Sequence, residues 1–141
     1  MKGFGRILAV VTIAFCSCVA PQNAEMVNVD ALSWGDAESI TYNNSDTLSQ
    51  RDLNIAIRYN NDFKQAVLPL KIEVMTPDTL YFTDTVELHL QHPSTAGAVA
   101  TTESVPYRKR VLLDKSGDYT FSFKPLSEVK GVEAIGIEIK N

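Results

Sequence analysis

Alternation with a period of two along most of the chain predicts an all-β fold. The expected architecture is an antiparallel β-sandwich of seven to eight strands, jelly-roll or immunoglobulin-like, in a single domain. Three observations carry this. Apolar and polar residues alternate in run after run, turn signals recur about every ten residues, and no stretch has the 3.6-residue period of an amphipathic helix.

From Trp34 onward, Ile40 and Tyr42 alternate with Ser39 and Thr41 until Asn43-Asn44-Ser45-Asp46 breaks the run. Leu53, Ile55, Ile57 and Tyr59 share one face and Asn54, Arg58 and Asn60 the other, the pattern of a half-buried strand that ends in the turn Asn60-Asn61-Asp62. Leu68, Leu70, Ile72 and Val74 point one way, Lys71 and Glu73 the other. In Thr76-Pro77-Asp78-Thr79 the proline is pre-set for the second place of a turn, which predicts a hairpin. The returning strand carries Leu80, Phe82, Val86, Leu88 and Leu90 on one parity, and Pro93 to Thr102 reads as a loop around Gly97. Val105, Tyr107, Val111 and Leu113 resume the alternation, followed by the turn Asp114-Lys115-Ser116-Gly117 and the aromatic face of Tyr119, Phe121 and Phe123. Pro125 to Gly131 is an irregular crossover with room for one helical turn. Ile135, Ile137 and Ile139 then close the chain, with Glu138 and Lys140 outward.

The N-terminus has a different character. Lys2 and Arg6 precede the apolar run Ile7 to Phe15, and small Ser17 precedes Cys18, the layout of a secretory signal. With cysteine at the first mature position, it resembles a bacterial lipoprotein signal. The resemblance implies diacylglycerol on the Cys18 thiol, cleavage before Cys18 and acylation of the new amine. Cys16 would place bulky Phe15 where a small residue is needed. The apolar run is far short of the ~20 residues that span a bilayer, and two or three acyl chains make a durable anchor. The expected division is a signal peptide over 1–17, an acylated N-terminus and tether over 18–33, and the sandwich over 34–141. No acidic run follows Cys18. In lipoproteins of Bacteroidota such a run marks surface export, so by analogy a lipid-anchored, periplasm-facing position at the cell membrane or outer membrane is expected.

Without residues 1–17 the chain keeps 124 of its 141 residues, enough for one core, and 11 basic against 17 acidic side chains, a net charge of −6. An acidic chain gains nothing from counterion release at a phosphate backbone, which argues against nucleic acid as a partner, and it is poorly suited to electrostatic docking on anionic lipid. Both cysteines fall in the signal region, so the mature domain is expected to hold neither a disulfide nor a thiolate metal site.

Few residues stand out as chemistry. His89 and His92 are the only histidines; on an extended segment they face opposite sides, and no carboxylate cluster flanks them, so no metal and no cofactor is expected. Ser127-Glu128-Val129-Lys130 matches Ser-x-x-Lys, but the companion motifs of penicillin-recognising enzymes are missing and the match reads as chance. Arg108-Lys109-Arg110 is the densest positive spot. On a regular strand Arg108 and Arg110 project together and Lys109 faces the other side, giving either a charged edge that resists aggregation or a partner-binding patch. Trp34 suits a buried plug between sheets; a sugar-stacking platform is the sharper reading and needs Asp36, Asn43 and Asn44 on one exposed patch.

Trp34, Asp46-Thr47, Asp52-Leu53-Asn54-Ile55, Thr76-Pro77-Asp78-Thr79-Leu80, Tyr107-Arg108, Ser116-Gly117-Asp118-Tyr119-Thr120-Phe121 and Val132-Glu133-Ala134-Ile135-Gly136-Ile137 follow one another in an order that resembles the gliding motility lipoprotein GldH family of Bacteroidota. The resemblance covers nearly the whole mature domain. The chain departs from the family pattern between Gln91 and Glu103, where His92-Pro93-Ser94-Thr95-Ala96-Gly97 replaces a Gly- and Trp-containing segment. What the resemblance implies is a non-catalytic envelope accessory protein. It would be held to the membrane by acyl chains and act through other envelope proteins in a gliding or type IX secretion-associated assembly. A carbohydrate- or peptidoglycan-binding module is the alternative, and a hydrolase a third reading that no nucleophile–base pattern supports.

Asp46-Thr47-Leu48, Asp78-Thr79-Leu80 and Asp84-Thr85-Val86 each fit an Asp-Thr-apolar triplet, which resembles the short O-glycosylation signal of exported Bacteroidota proteins. Asp-Thr pairs are also ordinary turn chemistry. Glycan is expected first on Thr47 and Thr79, which lie at polar turns, and then on Thr85, which is mid-strand.

Overall fold

The computed structural model describes residues 24–93 and 99–141. Its eight strands are β1 (Ala24–Asn28), β2 (Glu38–Asn44), β3 (Gln50–Asn60), β4 (Val67–Met75), β5 (Tyr81–His89), β6 (Ala100–Leu112), β7 (Gly117–Pro125) and β8 (Val132–Lys140). They form two antiparallel four-stranded sheets, in the orders β1-β8-β3-β6 and β2-β7-β4-β5. Nearly every connection therefore crosses between sheets, and only β4 and β5 form a hairpin, pairing from Met75–Tyr81 onward. This is the strand order of a jelly roll, which decides between the two sandwich topologies open from sequence. No helix occurs among the described residues, and Pro125 to Gly131 crosses without a helical turn.

The core lies where the alternation placed it. Leu53, Ile55 and Ile57 of β3 and Ile135, Ile137 and Ile139 of β8 meet Leu68, Leu70 and Ile72 of β4 and Tyr119, Phe121 and Phe123 of β7. Facing sheets bury these alternate residues because each strand exposes only one parity to its partner layer.

Two boundaries differ from expectation. Residues 24–33, read as tether, belong to the sandwich: β1 pairs with β8 from Ala24–Glu138 to Asn28–Ala134. Gly136 makes this approach possible, since a Cβ there would stand 1.9 Å from the Glu25 carbonyl oxygen. The expected loop over Pro93 to Thr102 ends earlier, because Ala100, Thr101 and Thr102 already pair with Asn60, Tyr59 and Arg58. Glu138, expected outward and open, is buried on β8 between Ala24 and Asn54, with the Lys140 ammonium 3.1 Å away.

The registers define two ends. One gathers the start of β1, the C-terminus, the β2–β3 loop, the β4–β5 hairpin and the β6–β7 turn; we call it the tether end. The far end carries the β1–β2, β3–β4, β5–β6 and β7–β8 connections. There Trp34 exchanges backbone hydrogen bonds of 2.8 and 2.9 Å with Val129 and seals the core.

Candidate functional site

β1 and β2 bring the two sheets together along one side of the sandwich. On the other side the edge strands β5 and β6 stand apart around a cleft of about 550 Å³ that opens towards the tether end. Its wall is mostly apolar, with Val74, Phe82, Tyr107, Val111, Leu113 and Phe121 among its lining residues. Leu88, deep on the inner face of β5, is buried, whereas Phe82 on the same parity is 58% exposed. The sheets diverge between these two positions, so a face that alternation marks as core is left uncovered.

Polar groups span the mouth. The Arg108 guanidinium of β6 ion-pairs with the Asp84 carboxylate of β5 and lies 5.4 Å from the centre of the Tyr107 ring. The Tyr107 hydroxyl donates to Asp84 Oδ2 at 3.2 Å, and burial pushes that hydroxyl up. Asp84 shares the parity of Phe82 and Val86; a carboxylate among inward apolar residues was the sequence signal for this mouth.

β6 reaches this position through an irregularity. Three steps along β3, from Arg51 to Asn54, are matched by five along β6, from Val111 to Pro106. Arg110 takes a φ of 53°, and its N–H donates to Asp52 Oδ1 at 2.9 Å. These bulges interrupt the alternation predicted through Arg108, Lys109 and Arg110. All three are exposed, and among the described residues Arg108 alone of them has its side chain in an ion pair.

Behind the cleft lies a buried polar cluster that sequence reasoning passed over. Arg51 is 5% exposed and donates to Tyr42 Oη at 2.9 Å, to the Asp46 carbonyl at 3.0 Å and to Asn44 Oδ1. Asn44 in turn donates to the carbonyls of Leu113 and Lys115 at 2.9 and 2.8 Å. One guanidinium thus fastens the β2–β3 loop and, through Asn44, the β6–β7 turn. Its signal was also parity, since Arg51 falls in step with Leu53 and Ile55.

The chain matches the family profile of the GldH lipoprotein over residues 23–139. It belongs to the GldH lipoprotein family. Membership of a lipoprotein family implies anchoring to a membrane of the cell envelope. The matched GldH region begins one residue before β1, so family and fold agree on where the domain starts. No curated protein matches the chain. Among solved structures, the infectious bursal disease virus VP2 subviral particle is similar at a TM-score of 0.39 and 7% identity, over 82% of this chain and 32% of that one.

The other predicted residues of this GldH-family chain are placed as follows. Trp34 is 2% exposed and donates its indole N–H to the Asp36 carbonyl at 2.8 Å, so it presents no stacking face. Thr79, at a φ of 66°, and Thr85 are exposed, while Thr47 is half-buried, which alters the expected order of accessibility. Thr85 is open because β5 is an edge strand. Asp46 and Asp78 do perform turn chemistry: Asp46 Oδ1 accepts from Leu48 and Ser49 N–H at 3.0 Å each, and Asp78 accepts from the Thr76 hydroxyl. These bonds hold both carboxyls below the usual carboxylate range. His92 stacks on Phe63 and meets Tyr59 edge-on. The signal peptide and Cys18 lie outside the described residues, as do Ser94 to Ala98.

Proposed function

We propose that this GldH-family lipoprotein is a non-catalytic accessory component of the cell envelope, periplasm-facing and held by acyl chains on Cys18. It acts through protein contacts in a gliding or type IX secretion-associated assembly. The observation that best supports this reading is the edge of β5, which no other strand among the described residues covers. β1 is short, and β6 is blunted by bulges, Pro106 and its Arg-Lys-Arg run, but β5 carries nine residues in unbroken register with no proline or lysine. Such an edge can accept an extended segment of another protein by strand addition, with alternate side chains of that segment entering the cleft beside Phe82. The polar groups at the mouth satisfy one another, with Asp84 engaged by Arg108 and Tyr107, as suits a recognition surface.

Photo-crosslinkers at Tyr81 and Thr83 in intact cells, with Thr41 on the β2 edge as control, test it. Discrete protein adducts from β5 and none from Thr41, together with loss of membrane retention in Cys18→Ser, are the expected results. Absence of adducts from β5 would sink the contact surface, and normal retention of Cys18→Ser would sink the anchor.

A further inference from the structure

The tether leaves the sandwich at a defined end. β1 pairs Ala24 with Glu138 and runs antiparallel to β8, so the chain before Ala24 heads the way β8 finishes, past Lys140. Six residue steps, from Cys18 to Ala24, separate the expected acylation site from the first strand. Fully extended they span ~20 Å, so the tether end of the domain can never be far from the lipid surface.

That end is apolar at its tips. Leu48 in the β2–β3 loop is 89% exposed, Leu80 in the β4–β5 hairpin 55% and Leu112 at the end of β6 48%. The three come from three separate connections. Leu80 and Leu112 line the cleft mouth, and Leu112 stands opposite Gln50, two residues after Leu48. Their backbones are held in place: Asp46 caps the turn through Leu48 and Ser49, Arg51 grips the Asp46 carbonyl, and the Thr76 hydroxyl accepts the Leu80 N–H at 3.1 Å. Leucines displayed on preorganised loops lose little entropy when they are buried against a partner. Lys109, Arg110 and Lys115 are exposed at the same end, with stems long enough to reach headgroups while the leucines go deeper.

We propose that the tether end is a lipid-contacting face. Leu48, Leu80 and Leu112 enter the boundary between headgroups and acyl chains of the membrane that anchors the protein, and Lys109, Arg110 and Lys115 lie at headgroup level. This rests on the reading of Cys18 as the anchor. A few leucines alone would bind lipid only transiently, but a short tether makes their insertion intramolecular, at an effective concentration on the order of millimolar. Since the domain is acidic overall, insertion and not charge supplies the attraction, and anionic lipid is not required. The consequence is orientation. The sandwich stands on the bilayer, and the edge of β5 rises from it, presented sideways to neighbouring envelope proteins.

The full acylated protein carries the test. Single cysteines replace Leu48, Leu80 or Leu112, or the exposed far-end leucines Leu32 or Leu126, each labelled with an environment-sensitive fluorophore. The labelled proteins are reconstituted into phosphatidylethanolamine vesicles with and without phosphatidylglycerol. Blue-shifted emission and quenching by spin-labelled lipid at the three tether-end positions, none at Leu32 and Leu126, and little dependence on phosphatidylglycerol are expected. A probe at Phe82 should lose its quenching when Leu48, Leu80 and Leu112 are all replaced by Ser, with the protein still floating with vesicles. Flotation with no response at any probe overturns the docking face and leaves the anchor intact. Failure to float overturns the anchor and the lipid face together. Equal quenching at both ends overturns the orientation, and a blue shift seen only in native envelope fragments assigns the leucines to a protein instead.

Discussion

Arg108 of β6 pairs with Asp84 of β5, and this contact joins the two sheets across the mouth of the open cleft. Both partners are partly exposed, so the pair is screened by solvent. Asp84→Asn should therefore cost at most about 1 kcal/mol in urea unfolding. It should change crosslinking from Tyr81 and Thr83 far more than it changes stability. A large loss of stability would mean that the pair holds the sheets together instead of framing a surface.

Position on the sandwich, and not parity alone, sets the cost of core truncation. Phe121 is fully buried between the sheets, and Phe121→Ala should cost about 3–5 kcal/mol. Phe82 has the same inward sense but looks into the cleft, and Phe82→Ala should cost under about 1 kcal/mol. Urea midpoints of the two variants check this. Similar values would mean that the cleft is closed in solution.

Lys140 is expected to matter more than an ordinary surface lysine. Its ammonium lies 3.1 Å from the buried Glu138 carboxylate, so Lys140→Met leaves that carboxylate without its cation. The expected loss is about 1–3 kcal/mol, against ~0.5 kcal/mol or less for Lys71→Met, whose partner Glu73 is solvated. Chemical denaturation of the two variants compares them.

Alkaline unfolding should report Tyr59. Burial, and donation of its hydroxyl to Glu103, push it from 10.0 up to about 12. The folded state thus holds this proton where the unfolded chain has released it. Its contribution is complete below about pH 10 and is lost as pH rises through about 12. Tyr59→Phe should be less stable at neutral pH but lose less stability across that window, measured by urea midpoints at stepped pH.

Accessibility reorders the glycan expectation. Thr79 and Thr85 are exposed and Thr47 is half-buried, so any glycan in the native host should occupy Thr79 and Thr85 before Thr47. Intact mass and peptide mapping decide it. A mass equal to the acylated chain alone would leave the triplets as turn chemistry.

The sequence by itself determined seven of the strands, β2 to β8, most of the core and the hairpin at Pro77, but not β1, which it read as tether. A period of two separates faces, and proline pre-sets a turn, whatever the rest of the chain does. Phe121, Ile137 and Leu70 were legible for that reason. It could not say which strands become neighbours, because alternation carries no information about pairing. Only the tertiary structure decided that β3 and β4 lie in different sheets, that β1 docks on β8 over Gly136, and that Trp34 is sealed by Val129. It also decided the site. Asp84 and Arg51 stood on apolar parities in plain view, but their meaning depends on where an edge opens and where a loop folds back. Phe82 is uncovered because β5 ends its sheet at a place where the two layers diverge, and that divergence exists only once all eight strands are assembled.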